Sequence, residues 1–184
     1  MTGQRRVRSD AIANRERIMH TAARLFRKRG VDVPLDEVAA ASGLGSATLH
    51  RHFQGRVDLV HAVLDAEAGR VAAGAARLLS ERGPDQALRA WLSDLIRFSL
   101  SYRGLAVLLA AHDADTTLSG RHEMLTQACR QLLAAAQAGG SVRTTIDAGT
   151  LLRLAHGMAV AAAGSPGMAR ELADVLMDGL RARP

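Results

Sequence analysis

Residues 35–53 read Leu35-Asp36-Glu37-Val38-Ala39-Ala40-Ala41-Ser42-Gly43-Leu44-Gly45-Ser46-Ala47-Thr48-Leu49-His50-Arg51-His52-Phe53. Leu35, Val38 and Ala39 recur at helical spacing, so 35–41 makes about two turns with one inward face. Ser42-Gly43-Leu44 breaks that helix. A second short helix follows from about Ser46 to His52, anchored by the apolar Leu49 and Phe53. Two short helices joined by a tight glycine turn are the helix-turn-helix arrangement. Its second helix has to be narrow at the leading edge to enter a DNA major groove about 12 Å wide. Gly45, Ser46 and Ala47 supply that small edge.

The same helical period continues on both sides of this segment. Upstream, Ile18, Ala22, Leu25 and Phe26 share one face of a helix expected to start near Ser9–Asn14 and end at Arg29. Gly30 follows as a terminating residue. Residues 1–8 are polar and basic and read as a flexible arm, in which Arg5, Arg6 and Arg8 form either a minor-groove arm or a basic tail. Downstream, helices are expected at about 56–81, 85–102, 105–111, 121–138, 147–163 and 167–181, with Arg82-Gly83-Pro84-Asp85 as the clearest break. Gly69 and Gly74 interrupt the first of these and suggest bending or close helix contact. Ala, Leu and Arg dominate, β-branched and aromatic residues are scarce, and no alternating strand pattern appears. The expectation is an all-α protein of about nine helices. Residues 1–55 form a three-helix DNA-binding domain and 56–184 a larger helical domain.

Charge agrees with that division. Residues 1–60 carry 11 Arg or Lys against 6 Asp or Glu, whereas 61–184 carry 13 against 12. The basic excess lies in the first third, where a polyanion would be met. Arg outnumbers Lys 23 to 1, a bias that genome composition alone can produce, so it is the asymmetry that bears on function. A single cysteine, Cys129, excludes an internal disulfide framework and a thiolate cluster, and it reads as a buried, inert thiol. Residues 1–10 lack the apolar run of a signal peptide, and none is expected. Leu151–Gly164, the most apolar stretch, is too short to span a bilayer and carries Arg153 and His156. A cytoplasmic protein without membrane association is expected. His112-Asp113-Ala114-Asp115 and His122-Glu123 contain metal-ligand types at spacings that match no helical two-histidine site, so no metal is expected. There is no nucleophile elbow, phosphate loop, zinc-binding His-Glu-x-x-His or paired-cysteine motif, and no cofactor and no enzyme activity are expected.

The segment 35–53, with Ile18, Ala22, Ala23, Leu25, Phe26 and Gly30 before it, resembles the N-terminal signature of TetR/AcrR-type transcriptional regulators. The resemblance is continuous over about fifty residues; the rest of the chain matches only the general plan of long helices. Beside it stands the physics of the helix 46–52. Its N–H groups can hold a phosphate, and Thr48 offers a hydroxyl and a methyl for phosphate or thymine. The resemblance implies that base reading falls to Ser46, Ala47 and Arg51, with Arg51 able to serve guanine or phosphate alike. It also implies phosphate contacts at position 50, where His50 replaces the usual aromatic residue, and at Arg56. A histidine there makes the contact sensitive to pH near neutrality. His52 reads as a packing residue.

In the larger domain, Leu151, Leu154, Ala155, Met158, Ala159 and Ala162 form one stripe, with Leu152 and Val160 on another side. A helix so widely apolar is covered on two sides. The last helix adds Leu172, Val175, Leu176, Gly179 and Leu180. These residues are expected to form a twofold homodimer interface, the alternative being a monomer with both helices in its own core. Trp91, Phe98 and Tyr102 share a face, either as ordinary core or as the wall of a cavity with Leu108, Met124 and His156. The resemblance implies a small apolar effector there and a palindromic double-stranded DNA operator read by the dimer. A DNA-binding protein without any effector is the second alternative.

Overall fold

A computed structural model describes residues 2–101, 117–161 and 168–182. Eight helices occur among these residues: α1 (Thr2–Arg29), α2 (Leu35–Ala41), α3 (Ser46–His52), α4 (Arg56–Glu81), α5 (Pro84–Ser101), α6 (Thr117–Ala138), α7 (Ala148–Ala161) and α8 (Met168–Leu180). The protein is all-α, and the expected short helix at 105–111 lies outside the described residues. No strand forms among them; a single antiparallel bridge joins Val142 to Arg181. The chain divides into two compact units, one ending at Asp65 and the other starting at Ala66.

In the first unit, α1 contacts α2 and α3, and α2 contacts α3. Ile18, Ala22, Phe26, Val38, Leu49, Phe53, Leu59 and Val60 are almost wholly buried. Burying each large apolar side chain contributes about 1.5–3 kcal/mol. The α1 face is the expected one, but the helix begins at Thr2 rather than near Ser9. Residues 2–8 contain no proline, and Arg and Gln are good helix formers, so the helix continues where a flexible arm was expected. Gly30 ends it at φ +81°, with its N–H on the Phe26 carbonyl at 2.9 Å.

The turn between α2 and α3 closes by a Schellman motif. The Leu44 N–H reaches the Ala39 carbonyl and the Gly43 N–H the Ala40 carbonyl, both at 3.0 Å. Gly43 sits at φ +69°, a region open to glycine and strained for other residues. The Ser42 hydroxyl adds a bond to the Ala39 carbonyl at 2.8 Å. Arg15 lies 4.8 Å above the Phe53 ring, a cation–π contact that ties α1 to the end of α3.

In the second unit α5 contacts α6, α7 and α8. Ala87, Leu88, Trp91, Leu92, Leu95 and Ile96 are buried on α5 and face Cys129, Leu132, Ala136, Leu151, Ala155, Ala173 and Met177 in one cluster. Trp91 donates its indole N–H to the Val71 carbonyl of α4 at 2.9 Å, so its one polar atom is satisfied inside the core. A Cβ added at Gly69 or Gly74 meets nothing within 4 Å among the described residues, so neither is a point of close contact with the described helices. Asp147 caps α7, accepting from the Thr150 N–H at 2.8 Å and the Thr150 hydroxyl at 2.9 Å. The Thr150 N–H, then its hydroxyl, hold the Asp147 carboxyl below the usual carboxylate range.

Candidate nucleic-acid interface and cavity

The sequence folds α3 so that one residue in each turn is held and the others face outward. Leu49 and Phe53 are buried at 0% and 1% exposure. Gly45, Ala47, His50 and Arg51 are exposed, and Ser46, Thr48 and His52 are half-buried. The helix starts from Gly45, whose carbonyl accepts from the Thr48 N–H at 2.9 Å and from the Leu49 N–H at 3.2 Å.

Three candidate residues of this helix are engaged with neighbours. The Ser46 hydroxyl donates to the Asp36 carboxylate, so α2 holds the leading edge of α3. Arg51 lies back along its own helix, donating to the Thr48 hydroxyl at 2.9 Å and to the Ala47 carbonyl at 3.3 Å. A guanidinium held this way is preorganised beside the surface rather than extended into solvent. Arg29 and Glu37 form a two-point ion pair on the exposed side of α1 and α2.

Arg56 takes a position that the sequence does not reveal. Its guanidinium donates to the Val31 carbonyl and to the Val33 carbonyl, the second at 2.7 Å. It therefore holds the α1–α2 connection from the first turn of α4. Asp58 completes that turn by accepting from the Gln54 N–H at 3.0 Å.

The second unit contains an apolar cavity of about 380 Å³ between α5, α6 and α7. Phe98 and His156, both expected there, line it, along with Leu95, His122, Leu125 and Leu152. Trp91 does not line it, being wholly buried in the core. Met124 is 41% exposed and is not among the residues that line the cavity, while its neighbour Leu125 is. Tyr102 and Leu108 lie outside the described residues. The missed lining residues carry a helical signal of their own: Leu95 and Phe98 are three apart, as are His122 and Leu125, and Leu152 and His156 are four apart. His122 and His156 both reach this space, yet no set of three metal-ligand side chains converges among the described residues.

The expected dimer residues separate into two sets. Leu151, Ala155, Ala159, Leu176 and Leu180 are buried within this chain. Leu154 and Val175 are 43% and 61% exposed, Gly179 is exposed, and Met158 and Leu172 are half-buried. Ala162 lies outside the described residues. The outer faces of α7 and α8 are thus narrower than the sequence stripe. No helix of the described residues is long and apolar enough to cross a membrane.

Comparison with known proteins identifies both units. A family described as bacterial regulatory proteins, tetR family, matches residues 18–63. A second, described as transcriptional regulator SbtR-like, C-terminal domain, matches residues 83–182, more than half the chain. A TetR transcriptional regulator from Streptomyces coelicolor is 29% identical with TM-score 0.77, covering 92% of this chain and 99% of that one. A TetR transcription regulatory protein from Mycobacterium vanbaalenii is 31% identical with TM-score 0.75, covering 96% and 99%. An HTH-type transcriptional regulator of Staphylococcus aureus is 41% identical over 59 residues, a match spanning only 32% of each chain. These relatives are regulators rather than enzymes, and the two family matches cover the helix-turn-helix and the helical unit in turn. The chain belongs to the TetR family of bacterial transcriptional regulators.

Proposed function

We propose that this regulator is a ligand-responsive repressor that binds a palindromic DNA operator as a homodimer. The observation that carries the DNA-reading part is the outward face of α3, where Ala47, His50 and Arg51 are exposed above the buried anchors Leu49 and Phe53. Gly45 and Ala47 keep the leading edge small enough for base edges to be approached. Arg51, released from Thr48, reaches guanine or phosphate, and His50 donates to phosphate. Thr48 and Ser46 supply hydroxyls at the same edge.

Dimerisation is assigned to Leu154, Met158, Leu172, Val175 and Gly179, the apolar and small residues left uncovered on α7 and α8. A twofold pair presents two α3 helices to successive major grooves, roughly 34–36 Å apart. The effector is a small apolar molecule held by Leu95, Phe98, Leu125 and Leu152, with His122 and His156 as polar contacts. Coupling runs through α4, the helix that contributes its first turns to one unit and the remainder to the other. A differential affinity worth about 1–3 kcal/mol relieves repression appreciably.

The Ala47→Glu variant tests the assignment. Ala47 is exposed, so the variant keeps its melting temperature, while a carboxylate on the reading face weakens operator binding about tenfold or more. Fluorescence anisotropy with the operator duplex measures it. Unchanged affinity contradicts the assignment of α3 as the reading helix.

A further inference from the structure

Five arginines converge on one groove of the second unit, separate from the apolar cavity. The groove has a volume of about 750 Å³ and runs along α5, between the end of α4 and the start of α8. Arg77 and Arg82 reach it from α4 and the turn after it, Arg89 and Arg97 from α5, and Arg170 from α8. Among its described lining residues the only carboxylates are Asp94 and Asp174.

General arginine richness does not account for this clustering. Residues 61–184 carry 13 Arg against 12 Asp or Glu, an excess of one, whereas the groove alone carries an excess of three. Pairing leaves two of the five arginines without a carboxylate among the described residues. Arg89 pairs with Asp174, Arg97 with Asp94, and Arg77 with Glu81 at 3.0 Å. Arg82 and Arg170 have no carboxylate partner among the described residues. Leu78, Ala90 and Ala169 add small apolar contacts to the lining.

We propose that this groove binds a small organic anion carrying two or more phosphate-type groups. Guanidinium forks suit such groups because each presents two parallel N–H donors to a pair of oxygens. A single charge would engage one fork and leave the rest of the excess unmet. Arg82 and Arg170 hold the ligand directly, while Arg89 and Arg97, already fixed by their aspartates, form the sides of the groove. The site is independent of the effector cavity and of the reading face of α3.

Calorimetric titration of the full chain with inorganic pyrophosphate, at constant ionic strength, tests it. Pyrophosphate is expected to bind about tenfold or more tighter than inorganic phosphate, and the R82Q/R170Q double variant to weaken it by at least a similar factor. Neither side chain has a partner among the described residues, so the double variant keeps its melting temperature. Arg130→Gln, on the exposed side of α6, leaves pyrophosphate binding unchanged. Absence of binding to the wild type overturns the proposal. So does binding that survives in the double variant, or that is lost equally in Arg130→Gln. A double variant that loses affinity for duplex DNA while pyrophosphate never binds assigns the groove to nucleic acid, and that too overturns it.

Discussion

At the residue scale, Arg56 holds the α1–α2 connection of the first unit in place. Its guanidinium caps the Val31 and Val33 carbonyls, so Arg56→Ala leaves two acceptors of the α1–α2 connection without their donor. A loss of about 1–3 kcal/mol in unfolding free energy is expected, measured by denaturant titration; unchanged stability contradicts this role. Cys129 behaves in the opposite way, as a group kept out of chemistry. Burial pushes its thiol up from the ordinary 9.0 to about 12, against a smaller downward pull from Arg130, and its Sγ lies 3.8 Å from the Ala148 carbonyl. The folded state thus keeps a proton that the unfolded chain releases above pH 9. Stability on account of Cys129 is full below that pH and falls as pH rises toward 12. Iodoacetamide at pH 8 should leave Cys129 unmodified in the folded protein and alkylate it in denaturant. Rapid modification without denaturant contradicts the buried assignment. Leu49 and Phe53 were legible in the sequence because they stand four apart on a short helix. The Ser46–Asp36 and Arg56–Val31 contacts were not, because each joins residues 10 or 25 positions apart through a turn whose path no local pattern records.

At the element scale, helices and breaks were largely legible, and faces less so. Gly30, Gly43 and the Gly83-Pro84 break end helices through backbone geometry that glycine and proline impose locally. The start of α1 at Thr2 is not legible, because basic composition says nothing of whether a segment without proline continues a helix. The face that Trp91 and Phe98 share on α5 reads equally as core or as a cavity wall. Packing divides that face: Trp91 meets α4 in the core, and Phe98, two turns on, meets the open space by α6 and α7. The stripe on α7 likewise holds both core and surface residues, since an apolar residue of either kind looks the same in sequence. This difference separates two outcomes of mutation. Ala159 is 1% exposed, so Ala159→Glu buries an unpaired carboxylate and unfolds the second unit, a cost of several kcal/mol. Leu154→Glu with Val175→Glu places charge on exposed positions and leaves the monomer folded. Light scattering coupled to size exclusion should show folded monomers for the double variant and dimers for the wild type. A double variant that remains dimeric places the interface elsewhere.

At the scale of the whole molecule, the two units carry different chemistry. The first has the basic excess and the short, small-edged helix of a DNA reader; the second has the large helical core, an apolar cavity and an arginine groove. The charge asymmetry and the helix-turn-helix made the first unit's role readable from sequence. Of the second unit's cavities only Phe98 and His156 were readable, because the walls come from three helices whose relative rotation only the fold determines. The central claim, that a pair of α3 helices reads DNA, is tested most directly by selecting duplexes bound by the purified full chain from a random pool. A palindrome is expected to be enriched, with half-sites centred about one helical turn, or a multiple of it, apart. A selection that enriches no sequence, or only one without twofold symmetry, contradicts the account.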